Sequence, residues 1–238
     1  GALTITTNDG GSGGDLIFFD GGHIDFWDKR SSVVINSGVF KLAGNLEELA
    51  NDIATNPSSS FALANDYNAQ TDGTYGVAPI TTAFTGVFEG LGHTISNLSI
   101  NDAGVDRNVG MFAQIYGTVR DFKLVGVIAK ATIQSETLGT LAGANGGAII
   151  HVSATGNISF VGAQNNGGLV GVNSGHIEDC SAAVSALTNS APRLRNEVPG
   201  SRIKASGGGL VGYNGSGSSI ENSYAEGNVI GAKGQSYG

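Results

Sequence analysis

Two short apolar segments separated by a Gly/Asn turn recur along the second half of the chain. The first segment of each copy is flanked by glycine, as Gly110-Met111-Phe112, Gly139-Thr140-Leu141-Ala142-Gly143, Gly168-Leu169-Val170-Gly171 and Gly209-Leu210-Val211-Gly212. The last three copies continue into an asparagine, at Asn145, Asn173 and Asn214. A unit this small cannot bury its apolar face alone, and stacking on its neighbours solves that problem. The pattern therefore predicts a solenoid.

The second segment of each copy keeps a fixed register. It starts at Val119, Ile149, Ile177 and Ile220. Three places on stand Phe122, Val152, Cys180 and Ser223, and five places on stand Leu124, Ala154, Ala182 and Ala225. At seven the residues are Gly126, Gly156, Val184 and Gly227, and at nine Ile128, Ile158, Ala186 and Val229. The later steps alternate as in a strand with one buried face, whereas the first step of three implies a bulge or bend.

A fifth, weaker copy is predicted to start at Ile95, with Leu98 and Ile100 in step. Successive starts then lie 24, 30, 28 and 43 residues apart, which is the range of solenoid repeats. We expect equivalent side chains to form interior columns in one continuous β-helix over residues 61–238, with a loop excursion at about residues 189–206.

Residues 1–60 differ from the repeats and are predicted to hold short strands and one helix, as earlier windings or a cap. The strands are expected at Asp15 to Phe19, Ile24 to Trp27, Val33 to Ile35 and Val39 to Leu42. The helix is expected at residues 45–55, because Asn45 followed by Glu48 is a capping-box start and Asn56-Pro57 is a stop. Such an amphipathic helix on a β-solenoid covers an apolar side or an end.

Composition supports a folded chain that is rich in turns. There are 39 Gly and only 4 Pro in 238 residues, with 13% charged and 40% hydrophobic residues, so a packed core is expected. The single cysteine, Cys180, excludes an intramolecular disulfide, and its register position predicts a core residue.

The formal net charge is −8, which argues against non-specific nucleic-acid binding. No apolar run is long enough for a membrane span. The chain opens at Gly1 in what reads as a strand through Leu3, Ile5 and Thr7, without Met or a signal peptide, and we expect a piece of a longer polypeptide.

Several segments together resemble one family. They are Ser32-Val33-Val34-Ile35-Asn36, Leu46 to Asn56, Phe61 to Tyr67, Phe84 to Leu98 and the Gly-Leu-Val-Gly copies. These segments are similar to the filamentous-haemagglutinin-like adhesins of bacterial two-partner secretion, and the copies resemble a short glycine-rich repeat of surface proteins. The resemblance implies a right-handed parallel β-helix exported from a Gram-negative cell. Because Asn56-Pro57 continues into Ser58, the Asn-Pro-Asn motif of the secretion domain is missing, which implies a downstream rod segment.

Parallel β-helices also carry polysaccharide lyases and hydrolases, which need clustered carboxylates on one face of adjacent windings. The acids of the repeats are Asp121, Glu178, Asp179, Glu221 and Glu226. The register places Asp121 and Asp179 in one column and Glu178 and Glu221 in another. Such a column could bind a cation, but the outward positions of a solvated strand give the same pattern, and we favour that interpretation.

The histidines of the repeats fall at different offsets and have no short metal-ligand spacing. We interpret His93, His151 and His176, together with His23, as surface or turn residues. The sequence thus predicts no catalytic, metal-binding or cofactor-binding residue.

The longest interval between copies supplies the candidate partner-binding residues, Arg193, Arg195, Arg202 and Lys204. This basic loop on an acidic protein could meet an anionic glycan, a lipid head group or a neighbouring acidic winding. A solvated loop without a partner is the alternative. Asn-x-Ser sequons stand at Asn97, Asn157 and Asn214, and chance supplies such sequons readily in a chain this rich in Asn and Ser.

Two functions from different classes remain open. The first is a rigid structural or adhesive rod, secreted to the cell surface, whose partners are the rest of the polypeptide, a glycan or protein of another cell, or a second rod. The second is a carbohydrate-active enzyme on the same architecture. We favour the rod, because the sequence offers no aligned acid/base pair and few aromatics, 7%, to stack on sugars.

Overall fold

The computed structural model describes residues 1–7, 14–18, 21–103, 107–131, 137–161, 165–189, 206–230 and 236–237. In these residues the structure is mostly strand and forms a β-solenoid of about six turns with a single α-helix. The predicted all-β parallel β-helix is therefore confirmed.

The strands of the first windings are β1 (Ala2–Ile5), β2 (Ser32–Ile35), β3 (Gly38–Ala43), β4 (Ser60–Leu63), β5 (Tyr67–Asn68), β6 (Thr74–Tyr75), β7 (Val87–Glu89), β8 (Thr94–Ser96), β9 (Ser99–Asn101), β10 (Asn108–Val109) and β11 (Phe112–Ile115). The later ones are β12 (Thr118–Ala131), β13 (Thr137–Leu138), β14 (Ala142–Asn145), β15 (Ala148–Val161), β16 (Asn165–Gly167), β17 (Val170–Asn173), β18 (His176–Glu178), β19 (Ser181–Asn189), β20 (Ser206–Gly208), β21 (Val211–Asn214), β22 (Ser219–Glu221), β23 (Tyr224–Ala225), β24 (Val229–Ile230) and β25 (Ser236–Tyr237). The helix is α1 (Leu46–Thr55), and a short 3-10 helix covers Ala69–Asp72.

Three sheets form the walls of the solenoid. The largest runs along β4-β7-β12-β15-β18-β22 and includes β19 with its partners, the second is β10-β13-β16-β20-β25, and the third is β11-β14-β17-β21. All pairings between these windings are parallel. From the winding that contains β10, β11 and β12 onwards, the windings therefore contribute to three walls around one interior.

The predicted interior column exists. Val119 pairs with Ile149, Ile149 with Ile177, and Ile177 with Ile220. The first three are fully buried. Equivalent residues of consecutive windings thus lie above one another, as the register of the sequence predicts.

The fifth copy has a different register from the predicted one. Phe88, not Ile95, pairs with Val119, whereas Ile95 lies one column further on, opposite Leu124. The bend of this winding is longer because it contains residues 90–93, where two consecutive residues have positive φ of 52° and 80°. The prediction of Ile95 as a start was therefore wrong, and the start of this winding is Phe88.

A β-bulge also shifts the register within β12. Val127 faces Gly156, where the spacing predicts Gly126. Gly126 has a φ of 70°, a conformation that glycine adopts without steric cost and that is typical of a bulge. As a result Ala129 is fully buried in the interior, and Ile128, which the spacing predicts there, is 48% exposed.

The helix is confirmed and covers apolar side chains of the interior. The Asn45 side chain accepts from the Glu48 backbone nitrogen at 2.7 Å, and the Glu48 carboxylate accepts from the Gly44 nitrogen at 2.9 Å. This is the reciprocal pattern of a capping box, displaced by one residue. The apolar face, Leu46, Leu49 and Ile53, is buried in the main core cluster.

The first forty residues contain fewer strands than predicted. β1 pairs in parallel with β2, and β2 pairs with β3 as an antiparallel hairpin. Asn36 and Ser37 turn this hairpin with positive φ at both positions, as the favoured two-residue turns require. Residues 15–18 and 24–27, predicted as strands, join no ladder, and Phe19 lies outside the described residues. Apolar and polar residues alternate in both segments, but the segments make isolated hydrogen bonds to the bend of the solenoid and no continuous ladder.

The interior changes from aromatic to smaller side chains along the axis. Phenylalanine rings of the earlier windings pack with centroids 5.3 to 6.3 Å apart: Phe61, Phe84, Phe88, Phe112 and Phe122. The next windings place Val152 and Cys180 in this region, each 1% exposed. Burial raises the pKa of the Cys180 thiol to about 12, so the thiol is protonated at neutral pH. The prediction of Cys180 as a core residue is confirmed.

Candidate functional site

Residues in the left-handed backbone conformation form the bend between each register start and the residue three places on. They are Asp121, His151, Asp179 and Asn222, with φ of 57°, 52°, 50° and 47°. Asp, Asn and His adopt this conformation more readily than other residues with a side chain. The bend that the first step of three predicts is therefore present in four windings, and we call these residues the bend column.

The bend column carries a chain of ionisable side chains. Asp121 Oδ1 lies 3.2 Å from His151 Nδ1, and His151 Nε2 lies 3.3 Å from Asp179 Oδ2. The structure thus brings Asp121 and Asp179 into one column, as predicted, with a histidine between them. Sequence reasoning missed His151 here because it compared histidines only with each other. The signal was present, since all three residues stand two places after a register start.

A buried charge cluster adjoins the column at Asp121. Arg120 Nε lies 2.5 Å from Asp121 Oδ2 and 3.3 Å from Glu89 Oε2, and Arg120 Nη2 lies 2.5 Å from Asp15 Oδ1. Glu89 and Asp121 are each 3% exposed. Burial, together with the neighbouring Asp121, raises the pKa of Glu89 to about 8, and burial also raises the pKa of Asp121. Burial therefore favours the protonated form of Glu89 in the folded chain.

The second predicted carboxylate column is also present. Glu178 pairs with Glu221 in the parallel ladder. His176 Nε2 lies 3.1 Å from Glu178 Oε2, and its Nδ1 lies 4.0 Å from Glu221 Oε1. These side chains are 33%, 38% and 59% exposed, against 1%, 19% and 41% for Asp121, His151 and Asp179, and Glu226 is exposed as well.

An N-terminal segment crosses the bend of the solenoid. We call residues 14–18 and 21–27 the N-terminal strap. Arg120 Nη2 donates to the Leu16 carbonyl at 2.9 Å, and the Ile24 nitrogen donates to the Leu91 carbonyl at 3.1 Å. Leu16, Phe18, Ile24 and Phe26 pack against a second apolar cluster beside the main core. The strap is therefore fixed by both polar and apolar contacts.

His93 helps to hold the strap. Its Nε2 lies 2.8 Å from the Ile24 carbonyl oxygen and its Nδ1 lies 3.3 Å from Asp66 Oδ1. The ring of His23 packs against it at 5.2 Å. His93 is fully buried, so its interpretation as a surface residue was wrong, whereas its backbone nitrogen donates to the Gly90 carbonyl at 3.0 Å and closes the turn of residues 90–93. The strap covers it, and the sequence gives no sign of that contact.

A groove opens where the strap borders the later windings. It has a volume of about 420 Å³ and is lined by Ile17, Phe18, His151, Val152, Ser153 and Asp179. We call it the strap groove. A smaller pocket of about 60 Å³ adjoins it and shares Phe18, His151 and Ser153, with Lys123 at its border. The bend column therefore meets solvent at a concave surface that has both apolar and polar walls.

The other predicted sites lie elsewhere. Arg193, Arg195, Arg202 and Lys204, the candidate partner-binding residues, lie outside the described residues, and their role stays a prediction. The sequon residues Asn97, Asn157 and Asn214 are all exposed. The Asn97 amide donates to Asn68 Oδ1 at 3.0 Å, and Asn214 Oδ1 accepts from Asn173 at 2.7 Å.

Among the residues that the structure describes, no group of three or more His, Cys, Asp or Glu is arranged to hold a metal ion. Within the same residues, no helix is both long and apolar enough to cross a membrane.

Two parts of the chain are similar to known sequences: one short segment in the last windings and a longer region. Residues 205–230 match the GLUG motif. Halomucin of Haloquadratum walsbyi is 36% identical over 156 residues, which cover 60% of this chain. The matching region spans only 2% of the length of halomucin. No solved structure matches this chain.

Proposed function

We propose that this chain is a structural and adhesive rod segment of a large secreted surface protein, which displays binding regions or builds a surface layer. The observation that carries the proposal is the column of paired residues through consecutive windings, from Phe61 and Phe88 through Val119 and Ile149 to Ile177. A parallel stack of this kind is elongated and stiff, because its hydrogen bonds run along the axis at about 4.8 Å per winding.

The closure of one end supports a rod that displays other regions. α1 buries its apolar face at the first complete winding, and the antiparallel hairpin of β2 and β3 interrupts the parallel stack beside it. End-to-end pairing of two rods is therefore disfavoured at this end, where an open parallel edge would otherwise invite pairing. The stack of windings therefore has a direction along its axis.

The similarities to other proteins support a large parent protein. The GLUG motif covers the last described winding, and the region shared with halomucin is a small fraction of that protein. Windings that each contact only their neighbours can be added in number without redesign of the core. A repetitive surface protein that uses many such units fits these observations.

The finer part of the proposal concerns export and partners. The resemblance to filamentous-haemagglutinin-like adhesins supports two-partner secretion from a Gram-negative cell, with the mature rod secreted or at the cell surface. The partners would be the remaining parent polypeptide, a glycan or protein of a host or neighbouring cell, and other copies of the rod. The formal net charge of −8 disfavours nucleic acid as a partner.

We propose that the chain is not an enzyme, and the geometry of the carboxylates supports this. A polysaccharide lyase or hydrolase needs carboxyl groups that the substrate can reach. The perturbed pair Glu89 and Asp121 is 3% exposed at each residue and is covered by Arg120 and the strap. Incubation with a panel of uronate-containing and neutral polysaccharides tests this. Formation of unsaturated, ultraviolet-absorbing ends or of new reducing ends would contradict it.

Surface display is tested with antibodies raised against the recombinant chain. They should label intact cells of the organism that encodes it, and an antibody against a cytosolic enzyme of the same cells is the control. Labelling that appears only after the cells are lysed would contradict the proposal. Stiffness is tested on tandem copies by single-molecule pulling, where we expect regular unfolding of stacked windings at high force.

A further inference from the structure

The strap groove has two walls of different chemistry. The strap supplies an apolar wall, with Ile17 41% exposed and Phe18 half-buried. The bend column supplies a polar wall, His151 and Asp179, whose side chains are 19% and 41% exposed. Ser153 lies between them on β15 and is half-buried. The groove therefore combines an apolar surface with a set of hydrogen-bonding groups.

The walls are held in place before any ligand arrives. Arg120 fixes the strap through Asp15 and the Leu16 carbonyl, next to the residues that form the apolar wall. His151 is held between Asp121 and Asp179, and Ser153 belongs to a ladder that pairs it with Lys123 and Ser181. Preformed sites lose less entropy on binding than sites that must become ordered.

The groove matches a small, hydroxyl-rich ring. Its volume of about 420 Å³ lies in the range of small-molecule sites, which begin near 300 Å³. A pyranose has an apolar face of C–H groups and hydroxyls around its edge. The apolar face of the sugar would pack on Phe18 and Ile17. The Asp179 carboxylate can accept hydrogen bonds from the sugar hydroxyls, and the Ser153 hydroxyl can donate to them and accept from them.

Charge selects among sugars. The two carboxylates of the bend column, Asp121 and Asp179, flank the single imidazole of His151, and Lys123 lies at the border of the adjoining pocket. The local charges are close to balanced, and the whole chain is acidic. An anionic sugar would therefore meet carboxylates without an excess of cations to offset them.

We propose that the strap groove binds a neutral pyranose unit of a surface glycan. This proposal rests on the adhesive part of the proposed function and names the ligand class for it. The groove lies on the outer side of the bend, so it can hold a sugar without opening the core of the rod.

The test uses the recombinant chain and methyl glycosides of glucose, galactose and mannose as neutral probes, with methyl glucuronide and methyl glucosaminide as charged probes. Saturation-transfer NMR detects binding of each glycoside to the protein. Changes in the amide chemical shifts of the protein show where the glycoside binds. We expect saturable binding of at least one neutral glycoside, with shifts at Val152, Ser153 and Asp179.

Three variants, one of them a matched control, locate the site. Ser153→Phe fills the groove and should abolish saturable binding, whereas Ser181→Phe, its ladder partner in the next winding and outside the groove lining, should retain it. Ile17→Ser, on the strap, should weaken binding without touching the ladder. Urea unfolding of all three variants shows whether each is folded.

Three results would overturn the proposal: no saturable binding of any neutral glycoside, preferential binding of a charged probe, or unchanged binding by folded Ser153→Phe. None of these results would affect surface labelling or the stiffness of the rod, which need no ligand. Absence of the protein from the cell surface would instead contradict the proposed function.

Discussion

Asn145 donates a hydrogen bond from its side-chain amide to Oδ1 of Asn173 over 2.8 Å. Both side chains are buried, with exposures of 1% and 0%. Asn173 repeats the bond to Asn214 at 2.7 Å. Each acceptor oxygen of the buried pair also receives a backbone N–H two residues on, from Gly147 at 3.1 Å and from Gly175 at 3.2 Å. The asparagines after the Gly-Leu-Val-Gly copies therefore join neighbouring windings and fix the turn within each winding.

Replacement of the central asparagine should destabilise the rod strongly. Asn173→Ala removes a donor to Asn214 and leaves the buried Asn145 amide without its shortest bond. Buried polar groups without partners cost about 1–3 kcal/mol each, so we expect a loss on the order of 3 kcal/mol in urea unfolding. The matched variant is Asn214→Ala, at the exposed end of the ladder, where water replaces the lost bond and the loss should stay below about 1 kcal/mol. If the two variants lose the same free energy of unfolding, the bond between Asn145 and Asn173 contributes no stability beyond that of the bond between Asn173 and Asn214.

Glycine in the turns after Asn145 and Asn173 is required by the close approach of the preceding winding. A Cβ on Gly175 would lie 2.1 Å from the Gly147 carbonyl oxygen, and one on Gly147 would lie 2.0 Å from the Gly117 carbonyl oxygen. Gly175→Ala should therefore cost about 3 kcal/mol or more, since the backbone of a stacked winding must move. Gly76→Ala is the control, because nothing lies within 4 Å of its added Cβ. A thermal midpoint unchanged by Gly175→Ala would rule out this packing.

The left-handed bend can be tested at its exposed end. Asn222 has a φ of 47° and is exposed, so substitution there changes little packing. Asn222→Gly should leave stability unchanged or raise it slightly, whereas Asn222→Val should lower it by about 1–2 kcal/mol, because β-branched residues avoid this region. Urea unfolding of the two variants provides the measurement. A Val variant as stable as the Gly variant would contradict the left-handed bend.

The windings were predictable from sequence because each repeats the same short pattern. The interior column through Ile149 and Ile177, and the bend that follows each of these residues, could be predicted from the spacing alone. The register of the earlier winding was not predictable in the same way. The spacing between Phe88 and Ile95 depends on the conformation of the bend between them, and the bulge at Gly126 moves side chains without changing the apolar pattern enough to reveal it.

One part of the candidate site could be predicted from the repeat pattern and another part could not. The column of Asp121, His151 and Asp179 follows from equal offsets and could have been found from the sequence. The contact between Arg120 and Asp15 could not, since it joins residues 105 positions apart across a segment with no repeat. The strap groove depends on that contact, so its existence is a property of the tertiary structure and not of the repeat pattern.

Stability should depend on pH through Glu89. In the folded chain its pKa is raised from 4.5 to about 8, first by burial and second by Asp121. The protonated form is thus favoured in the folded state, and this contribution is complete below the unfolded pKa and lost as pH rises towards 8. Glu89→Gln keeps the shape of the neutral acid and has no charge to bury. Relative to the wild type, the variant should therefore become more stable as pH rises from about 5 to about 8, by more than about 1 kcal/mol. The raised pKa of Asp121 acts in the same direction and is present in both proteins, so it largely cancels in the comparison.

Urea unfolding of the two proteins at several pH values measures this difference, and Glu226→Gln serves as the control because Glu226 is exposed. The control should differ from the wild type by a constant amount over the same range. A flat difference for Glu89→Gln would mean that Arg120 keeps Glu89 ionised in the folded state, and that the buried cluster is a salt-bridge network without a shared proton. The opposite slope would mean that Arg120 stabilises the carboxylate more than burial disfavours it, because stability would then be lost as pH falls.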